Sequence, residues 1–126
     1  MKYTDVYSKL TCELATLIFF KRDGSVRLML GTRNSDIIGL MHGFPGEELS
    51  KVDARSNVNN GNIGILDMII GEGRSFNIDR LVSINYHGVI NTEEELEEVI
   101  KQFKQFKSSY EATKPGLMDF ASEMLD

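Results

Sequence analysis

The chain has 126 residues, of which 41% are hydrophobic and 26% charged, and its 14 Lys/Arg against 19 Asp/Glu give a formal charge of −5. That length makes one domain with room for an appendage, large enough to bury a core without covalent staples. One cysteine, Cys12, excludes an internal disulfide, and no apolar run approaches the roughly 18 residues that a membrane-spanning helix needs.

The charge is unevenly placed. Residues 1–90 carry ten Lys/Arg and ten Asp/Glu, whereas residues 91–126 carry four Lys/Arg and nine Asp/Glu. The acidity belongs to the tail. A neutral body with an acidic tail is a poor nonspecific DNA binder, because that affinity comes from phosphate neutralisation, but it leaves room for a local basic patch. The opening MKYTDVYSKL lacks the apolar core of a secretory signal, so the expected location is the cytoplasm.

In chain order, Val6, Leu10 and Leu14 repeat every four residues beside Tyr3 and Tyr7, which allows a short helix. A leading strand at Thr11 to Leu14 is the other reading. Ala15 to Asn34 is a hairpin: two β-branched and aromatic runs flank Asp23-Gly24, a turn pair suited to positive φ. Within the second run Val26, Leu28 and Leu30 alternate with Arg27, Met29 and Gly31. Asn34-Ser35-Asp36 reads as a turn or helix cap, followed by one short turn around Asp36 to Leu40. Residues 43 to 62 read as a loop, marked by Pro45, Gly46, Gly61 and the run Asn57 to Asn60. Ile63 to Ile70 and Arg74 to Ile78 are strands paired across Gly71-Glu72-Gly73, and Leu81 to Tyr86 is the last strand before His87-Gly88.

Five short strands with tight turns predict a small closed barrel over residues 15–86, in a domain spanning residues 1–90. An acidic helical extension, residues 91–126, follows. Thr92 and Glu95 form a capping-box pattern for a helix from Asn91 to Glu111. Its stripe of Leu96, Val99, Ile100, Phe103, Phe106 and Tyr110 must be buried somewhere, since an isolated helix of this length is marginal in water. Phe103, Phe106 and Tyr110 are the expected contacts to the barrel, to a partner or to a second copy of the chain, with Glu94, Glu97, Glu98, Lys101 and Lys104 left in solvent. Leu117 to Leu125 suggests a final short helix.

No catalytic constellation emerges. Gly43-Phe44-Pro45-Gly46-Glu47 looks like the entrance to a Nudix hydrolase box, but Ser56 to Asn60 stand where that chemistry needs metal-binding carboxylates. The plain reading of that stretch is a solvated turn. His42, His87 and Cys12 are too dispersed for a metal site, and no phosphate loop is present. The chain therefore reads as a non-enzyme with no cofactor and no metal, with a degenerate Nudix-like nucleotide hydrolase as the remaining alternative. The arginines carry the remaining chemistry. Arg22, Arg27, Arg33, Arg74 and Arg80 all lie on strands or their ends. If Arg33, Arg74 and Arg80 converge, their guanidinium forks can hold a phosphate or carboxylate. The competing reading is that each is solvated or pairs with Asp67 or Asp79.

Three segments carry a resemblance. They are Phe20 to Arg27, Gly31 to Ile38 and, most specifically, Asp67 to Ile84, with Arg74-Ser75-Phe76 ahead of an Ile/Val-rich strand. Together, over roughly residues 15 to 86, they resemble a family of short phage proteins with an Sm-like, SH3-type β-barrel related to the WYL domain. Met68-Ile69 and Gly73 depart from that pattern, where the family often has bulkier or aromatic residues, and nothing from Asn91 onward matches it. The resemblance implies a mainly β protein with some α: a five-stranded SH3-like barrel plus C-terminal helices. It also implies a phage accessory module in the bacterial host cytoplasm that engages a host or phage protein. Nucleic acid or a nucleotide is the alternative partner, homo-oligomers are allowed, and no membrane is involved.

Overall fold

The computed structural model describes residues 1–42 and 46–112. Helix α1 (Tyr3–Cys12) leads into strands β1 (Leu14–Phe20) and β2 (Val26–Thr32). Helices α2 (Ser35–His42) and α3 (Gly46–Ala54) follow, then β3 (Asn62–Asp67), β4 (Glu72–Asn77), β5 (Leu81–Gly88) and helix α4 (Glu93–Ala112). All strand pairs are antiparallel, in the order β4-β3-β2-β1-β5. The two edge strands are consecutive in the chain, joined only by the 3-10 turn Ile78–Arg80, so the sheet curls until its edges meet at one corner. This is the five-stranded, mainly β architecture that the strand spacing predicts, with α1 ahead of it and α4 behind.

The β1–β2 hairpin forms where Asp23-Gly24 predicts it. Gly24 takes φ +85°, and the Asp23 carboxylate accepts the backbone N–H and the hydroxyl of Ser25. Those two hydrogen bonds hold the Asp23 carboxyl below its ordinary pKa. Register across the hairpin sets Phe19 opposite Arg27 and Phe20 opposite Val26.

Strand alternation divides the apolar residues into two cores. Ala15, Leu17, Phe19, Met29, Ile63, Ile65 and Phe76 fill the inside of the barrel, closed at one end by Val6 and Leu10 of α1. Leu14, Leu28, Leu30 and Leu66 point to the other face, where Ile37 and Ile38 of α2, Val52 of α3, and Leu96 and Phe103 of α4 cover them. Adjacent residues of one strand thus serve different cores. This is why β1 and β2 read as near-continuous apolar runs rather than as half-polar strands.

Two readings need correction. Residues 43 to 62 are not an irregular loop: α3 occupies Gly46–Ala54, and a 3-10 turn spans Val58–Asn60. Glu47 and Glu48 favour the first turn of α3 and pair with Lys51, Leu49 and Val52 face the core, and Asn57 starts the next turn by accepting the Asn59 N–H. The Asn-rich run and the glycines conceal this short amphipathic segment between them. The passage after Asn34 is also longer than one turn, because the Asn34 side chain caps α2 by accepting the Ile37 N–H. The Gly43-Phe44-Pro45 turn and the helix expected over Leu117 to Leu125 lie outside the described residues.

Helix α3 lies directly on β3 and β4 because two strand glycines let it. A Cβ on Gly64 would stand 1.9 Å from the Val52 carbonyl oxygen, and one on Gly73 would meet the Arg55 side chain at 3.1 Å. The Gly64 contact is with backbone, which cannot rotate away. Gly64→Ala is therefore expected to cost about 1–3 kcal/mol, the range for forced overpacking. The check is a shift of the urea midpoint at unchanged slope; an unshifted midpoint would mean that α3 can lift from the sheet freely.

Candidate functional site: a cationic cleft at the barrel corner

A cleft of about 450 Å³ opens beside the corner where β4 turns into β5. The β1–β2 hairpin brings Lys21, Arg22 and Arg27 to it, and β4 with the following turn brings Arg74 and Arg80. Its floor is the tilted pair Phe19–Phe76, with ring centroids 5.7 Å apart. Asn60, Asn62, Ser75 and Asn77 complete the wall, and no carboxylate is among the described residues that line it.

The wall is built rather than incidental. Asn77 donates from Nδ2 to the Asn60 carbonyl at 2.8 Å and to Asn62 Oδ1 at 3.1 Å, and its own Oδ1 accepts the Asp79 N–H. Gly61, in the left-handed region at φ +77°, accepts the Ile78 N–H through its carbonyl, which ties the turn before β3 to the corner after β4.

The cations differ in what holds them. Arg27 reaches Asp67 at 3.4 Å, and Arg74 reaches Glu72 at 3.3 Å. Arg74 Nε is buried and has no hydrogen-bond partner among the described residues. Arg22 and Arg80 form no ion pair among the described residues and are exposed. Five positive side chains line the cleft; Asp67 and Glu72 pair with two of them, and Asp23 and Asp79 are chain neighbours of Arg22 and Arg80, so the local positive excess is small, although the whole chain carries −5.

Of the three arginines expected to converge, Arg74 and Arg80 share this cleft and Arg33 does not. Arg33 turns into the protein, 6% exposed. Its guanidinium donates to the Tyr7 hydroxyl, Ser56 Oγ, the Gly64 carbonyl and Asp53 Oδ1, and stacks 4.0 Å over the Tyr7 ring. A cation at a strand end can serve solvent or interior, and the sequence alone does not distinguish them. Conversely, sequence reading noted Arg22 and Arg27 without placing them at the site, and it missed Lys21 and the asparagines. The available signal was the hairpin register, which sets Arg27 opposite the inward-facing Phe19.

Phe103, Phe106 and Tyr110 divide as well. Phe103 is core, on one line with Leu96 seven residues before it and the partly buried Tyr110 seven after. Phe106 is 47% exposed, so of the contacts expected for it the one to the barrel is not its main one. It borders a groove between α4 and the β1–β5 ladder, lined also by Thr16, Asn85 and His87. Thr92 caps α4 by accepting the Glu95 N–H and donates its hydroxyl to the Glu95 carboxylate, which is half of the expected capping box, and Glu94, Glu97, Glu98, Lys101 and Lys104 are exposed as expected.

No group of three or more His, Cys, Asp or Glu able to hold a metal ion occurs among the described residues. The α3 acids are engaged otherwise, Glu47 and Glu48 with Lys51 and Asp53 with Arg33. No helix of the described residues is long and apolar enough to cross a membrane.

Residues 4–82 match a family model, WYL_2, described as an Sm-like SH3 β-barrel fold. The chain is also 31% identical over 78 residues to the "Uncharacterized 11.5 kDa protein in Gp31-cd intergenic region" of Enterobacteria phage T4. That similarity covers 62% of this chain and 72% of the phage protein. No solved structure matches.

Two outcomes follow for residues outside the cleft. Arg33→Met removes four donated hydrogen bonds and leaves the buried Gly64 carbonyl unpaired. A loss of about 2–3 kcal/mol is expected, measured by chemical denaturation, with Arg33→Lys restoring only part because an ammonium lacks the planar fork. His87 lies 2.7 Å through Nε2 from the Thr16 hydroxyl, and burial lowers its pKa below the ordinary value. The unfolded chain therefore binds the proton first. The His87 contribution is complete above about pH 6.5 and is lost as the pH falls through the lower folded value. Thermal unfolding at descending pH should show a drop in the parent that His87→Gln flattens.

Proposed function

The chain belongs to the WYL_2 family of Sm-like SH3 β-barrels, and from that premise we propose that it is a non-enzymatic binding module whose corner cleft takes a phosphate-bearing ligand, namely nucleic acid. One observation carries this reading. Lys21, Arg22, Arg27, Arg74 and Arg80 meet around one recess that no described carboxylate lines. Guanidinium forks match phosphate oxygens in pairs, and Arg74 Nε is a buried donor with no partner among the described residues, as is Arg33 Nε in the interior. Asparagine and serine side chains on the wall supply neutral donors and acceptors of the kind that contact sugars and base edges. The affinity of such a site comes from displaced counterions, so it falls as salt rises. The similarity to a phage protein supports reading the chain as a small phage-associated accessory protein.

A second reading, engagement of a host or phage protein or of a second copy of the chain, has Phe106 behind it. It is a half-exposed aromatic ring at a mixed polar and apolar groove on a helix otherwise polar toward solvent. Light scattering of the parent and of Phe106→Ser separates self-association from a monomer; a monomer mass for the parent would remove the second copy, and an unaltered dimer mass in the variant would remove Phe106 from its interface.

The test of the first reading is fluorescence anisotropy with a labelled single-stranded oligonucleotide over a salt series. Binding should weaken steadily with salt. The double change Arg74→Ala, Arg80→Ala should cost roughly 1.5–3 kcal/mol per charged hydrogen bond lost. Equal affinity in the double variant would remove both arginines from the site.

A further inference from the structure

The corner cleft shares its hairpin border with a neighbouring recess. Lys21 and Arg27 line a second cleft as well, of about 270 Å³, and they are the two residues common to both. The second cleft runs from β2 past the turn after β3 to the last turns of α4, where Lys107, Tyr110 and Glu111 border it. Among its charged lining residues it has an apolar stretch, formed by Ile69, the half-exposed Ile70 and the partly buried Tyr110 ring. Two recesses joined through a pair of cations, with a third cation at the far end, describe a track rather than a point site.

We propose that the two clefts form one continuous track for a single-stranded nucleic acid, and that α4, which lies wholly beyond the matched residues 4–82, extends the barrel's phosphate site into a binding path. This rests on the reading of the corner cleft given above. Phosphates lie against Arg74, Arg80, Lys21, Arg27 and Lys107 in turn. A base rests on the Ile70 and Tyr110 surface, since stacking on an aromatic or apolar wall tolerates any base.

The carboxylates along the path are compatible with it. Asp67 is 5% exposed, and its oxygens are committed to Arg27 and to the N–H groups of Ile69 and Ile70. Glu111 is exposed one helical turn beyond Lys107 and opposes a phosphate there. It is the element of the track whose removal should help. A single strand fits better than a duplex. Recesses admit unstacked nucleotides, whereas a duplex keeps its bases inside and presents a convex row of phosphates.

The experiment compares an oligothymidylate of about 12 residues, within the span of known single-strand sites, with a trinucleotide and with a duplex of the longer length. Anisotropy is read across a salt series on the full chain. Lys107→Ala should weaken the long oligonucleotide several-fold and lower its salt slope by about 0.7, the value for one phosphate contact on a single strand. Glu111→Gln should tighten it, and both variants should leave the trinucleotide, captured by the corner cleft, unchanged. Both positions are exposed, and unaltered thermal unfolding confirms that the variants fold. If neither change affects the long oligonucleotide while Arg74→Ala, Arg80→Ala weakens it, the track is overturned and the corner cleft stands alone. Binding of the duplex as tight as that of the single strand overturns the choice of ligand. If the parent binds neither oligonucleotide, the reading of the corner cleft fails together with the track.

Discussion

One buried guanidinium fixes how the parts of this protein meet. Arg33 leaves the end of β2 and is held by α1 through the Tyr7 hydroxyl and ring, by α3 through Asp53, by the following turn through Ser56, and by β3 through the Gly64 carbonyl. Its own backbone N–H reaches the Leu10 carbonyl of α1 at 2.8 Å. The Asp53 ion pair contributes little by itself, since the Asp53 side chain is 66% exposed and screened by water. The strength lies in the convergence of neutral acceptors on a charge that has left water, where an unpaired donor or acceptor is expensive. Ser56 is part of the same clasp: its hydroxyl oxygen also accepts the Gly64 N–H at 2.8 Å. Because the clasp holds the start of β3, it also sets where Asn60 and Asn62 enter the corner cleft.

The division of apolar side chains into two cores explains why the cleft is where it is. The inner core is closed at one end by α1 and left open at the corner, where Phe19 and Phe76 form a floor and the cations stand around it. The outer core lies under α2, α3 and α4, which cover that face of the sheet. Helix α4 belongs to this outer core through Leu96 and Phe103, which fixes the position of its last turns beside Ile70 and the β2 side chains. Residues with no other common purpose, such as Arg27 and Lys107, are brought together by that packing.

Much of this was legible in the sequence, for reasons that differ by residue. The hairpin at Asp23-Gly24, the N-cap at Thr92 and the five-strand count rest on local chemistry, and local chemistry was enough. Helix α3 escaped because its apolar face is two residues wide, Leu49 and Val52, and its seat is made by glycines on β3 and β4 that look like turn residues in a linear reading. The fate of Arg33 depends on Ser56 and Gly64, more than twenty residues away, and no pattern near residue 33 announces them. Arg74 and Arg80 are brought to one cleft by the sharp corner between β4 and β5, a tertiary feature that residue spacing allows without requiring.

The single cysteine gives the molecule an unused convenience. Cys12 ends α1, is exposed, and lines none of the three clefts described above. It stands two residues from Leu10, whose carbonyl receives the Arg33 backbone N–H. A dye attached to that one thiol would need no engineered site and would leave the cationic surface untouched. Its signal would report whether α1 stays seated on the barrel, separately from whether anything occupies the corner.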